Sequence, residues 1–389
     1  MNIAVLARRN LTRNKRRTAI TICGAAFAAT IMIAYGALMD GMIGKMVNSL
    51  TQLEIGQIQI HAPDYRDEPD LYKVIDHPQQ ILTALKSQGV IGTERLHGFA
   101  LGSTEDTSVG VQIRGVDPAG EQAVTTLPAS LAQGKWLDPH QPAEVVVGRT
   151  LAKNLGLALG QELVLFGQAA DGSLASDLVT VRGILKGVSS AIDRGAVIMT
   201  LAKFREFFLV AAGAHEIALV ASSDATSLSD AVAIVKNAAP DQEVLSWKEL
   251  RPMFADMMEM STASMAFMIV LIYIALGLLI INSTFMGIFE RMRELGVLRA
   301  IGMTPWQIVQ LILWEAFWQM AVAGVLAFVL AVPAVFYLTH YGIDLRSFMD
   351  NLAVAGMSLE PIWYGEATTL SFVMPLAFLL LVVMLASIY

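Results

Sequence analysis

Cysteine and charge are both scarce in this chain of 389 residues. The single cysteine, Cys23, has no partner for an intramolecular disulfide, and one thiol is too few for a cysteine-based zinc site. Only 16% of the residues are charged, against about 25% in soluble domains, and 55% are hydrophobic. With a mean hydropathy of +0.55, this composition excludes a disordered chain and an ordinary soluble enzyme.

A broad basic surface is missing as well. The chain carries 34 acidic and 27 basic residues, for a net charge of -7. Nucleic acid is therefore not expected among its partners.

Catalytic motifs are also absent. The sequence has no G-x-x-x-x-G-K-[ST] loop for ATP phosphates, no H-E-x-x-H metal motif and no G-x-S-x-G elbow. Its histidines are far apart in the chain, and we interpret them as ordinary surface or core residues. They are His61, His77, His97, His140, His215 and His340. The sequence therefore predicts no catalytic residues, no metal site and no cofactor on this chain.

Long uncharged runs, by contrast, are abundant. A helix needs about 20 largely apolar residues to cross about 30 Å of hydrocarbon, and four runs reach that length. The runs are Thr18 to Met39, Ser261 to Phe289, Pro305 to Thr339 and Ala367 to Tyr389, and their one charge is Glu315. They predict transmembrane helices at residues 18–40, 261–289, 305–339 and 367–389.

A secretory signal is the alternative interpretation of the first run. Basic residues precede it, and Ala26-Phe27-Ala28 resembles a cleavage site. The apolar sequence continues for 11 residues past Ala28, which is longer than a signal needs and favours a membrane span.

Lysine and arginine near the ends of the predicted spans indicate their orientation. Six precede the first span, three lie between the second and third, and only Arg346 lies between the third and fourth. The excess of positive charge on cytoplasmic loops places the N-terminal residues 1–17 and the loop 290–304 in the cytoplasm. Residues 41–260 and the loop 340–366 then lie outside. The 41–260 segment holds 26 acidic and 17 basic residues, so the acidity of the protein resides there.

Within residues 41–260, short apolar runs alternate with turn residues and with stretches that show helical spacing. Strands are predicted at 55–60, 110–114, 144–147, 161–166, 178–181 and 196–199, and helices at 78–86, 149–155, 201–209 and 228–237. The predicted fold is an α-helical membrane protein with four transmembrane helices, one plus three, and a large α+β extracytoplasmic domain between helices 1 and 2.

Methionines cluster where the first two spans join this domain. Nine of the 20 methionines lie in residues 39–46 and 253–268, at helical spacing. Either these faces of two stalk helices pack on each other, or they form an adaptable apolar surface for acyl chains. The candidate acyl-chain contacts are Met39, Met42, Met46, Met253, Met257 and Met260.

Two polar features lie near the predicted cytoplasmic side. Glu315 suggests a function, because a charge in hydrocarbon is costly, but it also suits a structural bond to a neighbouring helix or to an arginine of the first helix. Residues 290–304 predict a short helix of mixed charge, which serves either as a docking piece for a cytoplasmic partner or as a solvated loop.

The same loop carries a family resemblance. Residues 290–308, E-R-M-R-E-L-G-V-L-R-A-I-G-M-T-P-W-Q-I, closely resemble the loop after the second span in the FtsX-like, MacB-type permease superfamily of ABC transporters. Residues 7–18 look like that family's amphipathic N-terminal helix, Val146 to Gln161 is similar to its external-domain motif, and Trp314-Glu315-Ala316 matches its third-span glutamate. Ser246 to Phe254 and Gly115 to Pro118 most resemble the lipoprotein-releasing LolC and LolE permeases.

The resemblance implies a non-catalytic permease subunit of the bacterial inner membrane with its large domain in the periplasm. ATP and Mg²⁺ would be bound by a separate cytoplasmic ATPase dimer, and the permease would pair with a second copy or a paralogue. Residues 290–304 would be the coupling helix held by the ATPase. The residues that this role implies are Glu290, Arg291, Arg293, Glu294, Leu295, Gly296, Leu298, Arg299 and Gly302.

Two functions stay open within the family. The first is extraction of lipoproteins from the outer leaflet of the inner membrane toward the outer membrane. The second is relay of ATP hydrolysis to a periplasmic partner, or efflux of another amphipathic substrate. The short polar segment Gly167 to Leu178 argues against direct docking of a lipoprotein chaperone, because the resemblance implies a longer hook for that role. The family's basic cytoplasmic tail would follow Tyr389.

The predicted topology can be tested by labelling single introduced cysteines in intact cells. We expect a membrane-impermeant reagent to reach residues 60–250 from outside and the 290–304 loop only after permeabilisation, because positive loops stay in the cytoplasm. The reverse pattern would overturn the topology.

Overall fold

The computed structural model describes residues 3–10, 15–105, 107–221, 227–344, 353–354, 357–358 and 362–388. The chain divides into two compact units. We call residues up to 45, from 257 to 350 and from 360 onward the membrane unit, and residues 46–256 with 351–359 the external unit. Arg346, Tyr389 and residues 11–14 of the predicted N-terminal helix lie outside the described residues.

Thirteen helices are described along the chain. They are α1 (Ile3–Asn10), α2 (Lys15–Leu50), α3 (Pro78–Lys86), α4 (Pro118–Val124), α5 (Arg149–Leu155), α6 (Ser190–Gly195), α7 (Leu201–Phe208), α8 (Leu228–Ala238), α9 (Trp247–Leu250), α10 (Pro252–Glu290), α11 (Met292–Ala300), α12 (Pro305–His340) and α13 (Thr369–Ile388). A π-helical turn, Thr51–Ile55, follows α2, and a 3₁₀ turn spans Leu127–Ala129.

Fourteen strands are described. They are β1 (Ile58–His61), β2 (Val90–Ser103), β3 (Ser108–Val116), β4 (Leu131–Gly134), β5 (Glu144–Val147), β6 (Glu162–Gln168), β7 (Leu174–Leu185), β8 (Ala196–Thr200), β9 (Glu216–Ala221), β10 (Glu243–Ser246), β11 (Ile343–Asp344), β12 (Ala353–Val354), β13 (Met357–Ser358) and β14 (Ile362–Trp363).

Three of the helices are long and apolar enough to cross a membrane. They contain Thr18–Ile55, Pro252–Glu290 and Pro305–His340, and α13 is a shorter apolar helix near the end of the chain. The predicted arrangement of one helix, an α+β domain and three helices is confirmed. Helix α2 continues to Leu50 and α10 begins at Pro252, so both helices are longer than the predicted spans.

Small side chains pack at the centre of the membrane unit. Ala25, Ala26 and Ala29 of α2 belong to one buried cluster with Ala323 and Ala327 of α12. Lipid tails are as apolar as leucine, so helices in a bilayer gain most from close packing, which small residues permit. The Thr30 hydroxyl donates to the carbonyl oxygens of Ala26 at 2.8 Å and Ala327 at 3.4 Å. These contacts hold α2 against α12.

One ten-stranded sheet organises the external unit. Its order is β10-β1-β9-β2-β3-β8-β5-β7-β4, with β6 paired to both β2 and β7. Most pairs are antiparallel, whereas β3 with β8 and β5 with β7 are parallel. The 14-residue strand β2 pairs with β3, β6 and β9, and separate hydrophobic clusters pack around each half of the sheet.

Most of the predicted elements in this unit are present, and one was placed wrongly. Strand β5 and helices α3 and α5 have the predicted bounds. The strand predicted at 55–60 is wrong at its start, because the helical path of α2 continues as the π-helical turn to Ile55. Gly56 then adopts a φ of 74°, and β1 begins at Ile58.

A buried ionic network ties β2 to its neighbours. The guanidinium of Arg95, in β2, donates to Glu121 of α4 at 2.6 and 2.9 Å and to Glu216 of β9 at 2.7 Å. The other oxygen of Glu216 lies 3.0 Å from Nε2 of His97. Burial opposes ionisation of Glu216, but the charge of Arg95 and the His97 bond outweigh it and hold the pKa of Glu216 well below its usual range. A buried charge is tolerated only when it is paired in this way.

His215 lies beside this network and is fully buried. Its Nδ1 accepts the backbone N–H of His97 at 2.9 Å, which leaves Nε2 to donate to the Leu71 carbonyl at 3.2 Å. The ring also stacks on Tyr65. A second proton would cost the bond from His97, and burial lowers the pKa of His215 to about 4.

We expect the stability of the external unit to fall with acidification. The unfolded chain binds a proton on His215 near pH 6.5, whereas the folded chain resists it down to about pH 4, so the unfolded state is favoured as pH falls through that window. Between pH 7 and pH 5 this residue alone lowers the free energy of unfolding by about 2 kcal/mol.

The measurement is urea unfolding of the detergent-solubilised full chain between pH 7 and pH 5, monitored by hydrogen exchange of the amides in β2 and β9. His215→Gln should flatten the pH dependence, because it removes the titrating ring. A profile that is already flat in the unaltered protein would contradict the assignment.

Candidate functional site

The segment between α10 and α12 folds as predicted, into the short helix α11. Its end is a glycine-terminated cap, in which Met303 N–H donates to the Leu298 carbonyl at 3.1 Å and Gly302 N–H to the Arg299 carbonyl at 3.0 Å. Gly302 has a φ of 105°, a left-handed conformation that glycine adopts without steric cost. The glycine thus ends α11 and turns the chain toward α12.

Helix α12 starts immediately after this turn. The Thr304 hydroxyl accepts the Gln307 N–H at 3.3 Å, and the Gln307 side chain accepts the Thr304 N–H at 2.9 Å. Pro305 occupies the first helical position, where no backbone N–H is needed. This reciprocal cap leaves only a few residues between two well-terminated helices, so α11 and α12 are joined by a short, defined turn.

The surface of α11 is open in this chain, and no residue of the helix is buried. Arg293 and Arg299 are exposed, and so are the apolar side chains of Met292, Val297 and Ile301. Among the predicted coupling residues, Glu290, Gly296 and Gly302 are also exposed, whereas Glu294, Leu295 and Leu298 are half-buried. The helix therefore presents cationic and apolar groups together. The predicted set left out Met292, Val297 and Ile301, although their exposure makes them part of this surface.

Arg291 points inward and bonds to Glu315. Its Nη1 lies 3.0 and 3.1 Å from the two carboxylate oxygens of Glu315 in α12, and its Nε lies 3.4 Å from Glu294 in α11. Only 21% of the Arg291 side chain and 17% of the Glu315 side chain are exposed. Arg291 also sits in the break between α10 and α11. This geometry favours the structural interpretation of Glu315 and gives Arg291 a positioning role.

A small polar cavity of about 50 Å³ adjoins this ion pair. Arg291, Glu315 and Gln319 contribute to its lining, and so do Thr21 and Ser283, whose hydroxyls are 2.9 Å apart. The cavity has room for only a few water molecules. At this end of the membrane unit, Arg291 is therefore bonded to Glu315 and Thr21 to Ser283.

The predicted methionine contacts differ in exposure. Met253 and Met260 are exposed, and the side chains of Met39, Met42, Met46 and Met257 are half-buried. In the external unit, Met253 lines a cavity of about 430 Å³ together with Leu50, Leu53 and Phe254. These positions are compatible with either packing or acyl-chain contact, so the acyl-chain role stays a prediction.

An exposed apolar face lies on the sheet of the external unit. Phe99 and Leu101 of β2 are two residues apart, so their side chains lie on the same side of the sheet. Leu101 pairs with Phe166 of β6, and Leu178 of β7 pairs with Val164 of β6, so Phe166 and Leu178 lie on that side as well. Phe99, Leu101, Phe166 and Leu178 are all exposed, Phe99 to 70%. The face adjoins the β6–β7 hairpin, whose turn is short. Contiguous exposed apolar side chains of this kind commonly mark an interaction surface.

Comparison with known proteins gives two family matches. Residues 18–238 match the MacB-like periplasmic core domain, and residues 266–389 match the FtsX-like permease C-terminal region. A relative, the lipoprotein-releasing system transmembrane protein LolC of Neisseria meningitidis serogroup B (strain ATCC BAA-335 / MC58), is 21% identical over 300 residues, which is 74% of this chain and 69% of the relative.

Two solved structures are similar to part of the chain. The periplasmic region of MacB from Actinobacillus actinomycetemcomitans has a TM-score of 0.38 and 11% identity, covering 51% of this chain and 92% of that one. The extracellular domain of the noncanonic ABC-type transporter YknZ from Gram-positive bacteria has a TM-score of 0.36 and 13% identity, covering 49% of this chain and 98% of that one.

The positioning role of Arg291 can be tested by exchanging charges. Arg291→Glu or Glu315→Arg alone places like charges together in a poorly hydrated site, and each should destabilise the membrane unit by roughly 2 to 3 kcal/mol, somewhat below the cost at a fully buried pair. The double exchange should restore most of the loss. Thermal unfolding in detergent measures the effect, and Arg293→Glu on the exposed side of α11 is the control expected to change little. Additive losses in the double variant would show that the two side chains do not depend on each other.

Proposed function

Because the chain belongs to the FtsX-like permease family with a MacB-like periplasmic core domain, the non-catalytic transmembrane subunits of ABC transporters, we propose that it couples ATP hydrolysis on a separate ATPase to the release of lipoproteins from the membrane. The lipoprotein part of the proposal rests on the similarity to LolC and on the methionine-rich helix segments, which offer adaptable apolar surface for acyl chains.

The observation that carries the coupling step is the way α11 is held. At one end Arg291 bonds to Glu315 of α12, and at the other end only a short turn separates α11 from the capped start of α12. A force on the exposed side of α11 is therefore passed to α12, and to α10 that directly precedes it, instead of being absorbed by a flexible loop. This is the behaviour that a coupling helix needs.

In the proposed mechanism, a cytoplasmic ATPase dimer holds α11 of this permease and of a second copy or paralogue. ATP and Mg²⁺ bind to that partner, and this chain contributes no group to hydrolysis. Closure of the ATPase shifts the α11 helices together, and the spans transmit the shift to the periplasmic domains. The N-terminus and the 290–304 segment lie in the cytoplasm, and the protein resides in the inner membrane.

The ATPase contact can be tested on exposed arginines. Glu294 is a poor target because it bonds to Arg291, so we choose Arg293→Glu with Arg299→Glu, which reverse two charges without touching that bond. We expect the double variant to lose most of the co-purifying ATPase, because reversing two charges at an interface replaces attraction between the partners with repulsion. The matched control is Lys135→Glu with Lys153→Glu, two exposed cations of the external unit. Undiminished ATPase recovery with the α11 variant would remove the assignment.

The substrate can be tested by mass spectrometry of the complex isolated gently from native membranes. We expect an ATPase together with triacylated lipoprotein. An ATPase with a soluble periplasmic protein and no acylated cargo would contradict lipoprotein release.

That second result would favour the other candidate function, relay of ATP hydrolysis to a periplasmic partner. The observation behind this candidate is the exposed apolar face formed by Phe99, Leu101, Phe166 and Leu178, which offers a docking surface in the external unit. Under the relay function, Phe99→Ser with Leu101→Ser should release that partner, while Leu159→Ser, which changes another exposed leucine, should not.

A further inference from the structure

Helices α2, α10 and α13 enclose a narrow cleft in the membrane unit, with a cavity of about 110 Å³. The cleft lies on the face of α2 that carries Met32, Gly36 and Asp40, four residues apart. On α10, its lining residues Met265, Ile269 and Tyr273 repeat at the same interval. Residues four apart follow one face of a helix, so the cleft is a slot that runs along the helices for about 12 Å.

The slot is lined mainly by hydrocarbon and sulfur. Met32 and Met265 line it from two helices, and flexible methionine side chains adapt to an occupant of variable shape. On α13, Leu370 and Met374 also line the slot, and Leu370 is 67% exposed. The slot is therefore open along one side, where the spanning helices face lipid.

A cavity of this kind favours a hydrocarbon occupant over water. Apolar cavities of about 150 Å³ stay dry and take up small hydrocarbons. Gly36 lines the slot without a side chain. A Cβ at this position would lie 3.9 Å from the Ser371 Cβ, which is an ordinary contact, but a longer side chain would occupy part of the slot.

One end of the slot is acidic. Asp40 Oδ2 accepts hydrogen bonds from the hydroxyls of Thr368 at 3.1 Å and Ser371 at 2.7 Å. In the described part of the chain both hydrogen bonds to this carboxylate come from hydroxyls, and neither comes from a lysine or an arginine. A carboxylate accepts up to about four hydrogen bonds, which leaves capacity for a donor from outside the protein.

We propose that this slot binds one acyl chain of an amphiphile whose head group carries N–H donors, either an ammonium or an amide. The acyl chain lies along the slot between α2, α10 and α13, and the head group donates a hydrogen bond to Asp40 at the outer end of the slot. An anionic head group is disfavoured, because it would face the Asp40 carboxylate. The site goes beyond the proposed function, because it lies within one permease subunit and its proposal does not depend on which cargo is released.

The test uses the full-length permease, with the partners that co-purify with it, in lipid nanodiscs. The probes are phosphatidylethanolamine and phosphatidylglycerol that carry a photoreactive group in one acyl chain. We expect cross-links in peptides containing residues 265–273 and 370–378, with the ethanolamine lipid preferred. Asp40→Asn keeps an oxygen acceptor for Thr368 and Ser371 but removes the charge, so it should abolish the preference and leave folding intact.

A filling variant separates the slot from the general lipid surface. Gly36→Leu should reduce cross-linking at these peptides by at least about tenfold, because its four side-chain carbons occupy space that the acyl chain would fill and each excluded methylene costs about 0.8 kcal/mol. Ala266→Leu is the matched control: residue 266 is an exposed neighbour of Met265 on α10 that does not line the slot. It should leave cross-linking unchanged.

The acyl chain could come from acylated cargo or from a membrane phospholipid. Competition with a synthetic peptide that is N-acylated on a diacylglyceryl cysteine distinguishes these two sources. Displacement of the photolipid assigns the slot to acylated cargo, and persistence assigns it to membrane phospholipid. Both results support an acyl-chain site. Equal cross-linking in Gly36→Leu, or equal labelling by the two lipids in the unaltered protein, would each overturn the proposal.

Discussion

The inability of the hydrocarbon core to solvate polar groups is the constraint on which the membrane unit depends. Each peptide group must bond within its helix, and each buried side-chain donor or acceptor must find a protein partner. Several polar side chains of the membrane unit follow this rule. Thr30 bonds to carbonyls of α2 and α12, Tyr273 donates to the Pro375 carbonyl at 2.5 Å, and Thr21 pairs with Ser283. Glu315 is bonded to Arg291 in the same way.

This rule links stability to the proposed coupling. Arg291, a partner of Glu315, lies at the break between α10 and α11, so their ion pair both offsets a charge and fixes the direction in which α11 leaves α10. The capped turn at Gly302 and Thr304 restricts the other end of α11. A helix restrained at both ends transmits displacement, whereas a solvated loop of the same composition would not.

The external unit applies the same principle to a sheet. Strand β2 carries Arg95 and His97 in positions that face protein, and their partners come from α4 and β9. Removal of either carboxylate would leave Arg95 as a buried and incompletely paired cation. The network therefore specifies which elements pair with β2, and the buried His215 beside it makes the unit sensitive to acidification.

Local pattern was sufficient for many elements of this unit and insufficient for others. Strand β5 and helices α3 and α5 have short-range apolar spacing that indicates both type and extent. Strand β2 was not predicted, because its glycines and its Glu94, Arg95 and His97 disrupt the alternation of apolar and polar residues. Strand β9 was not predicted either, since a short continuous apolar run reads equally well as helix or strand. Both strands owe their pairing to residues far away in the chain.

The sequence by itself determined the membrane-spanning helices, the α+β domain between the first two of them, the family and the short helix at 290–304. These follow from run length, residue spacing and local capping, which act between near neighbours in the chain. Tertiary structure alone decided that Arg291 turns inward to Glu315, that Asp40 stands at the end of an apolar slot, and that Arg95 is shared by two carboxylates. Each of these depends on helices or strands that pack together although their residues are distant in sequence, and neither composition nor periodicity encodes which distant side chain completes a bond.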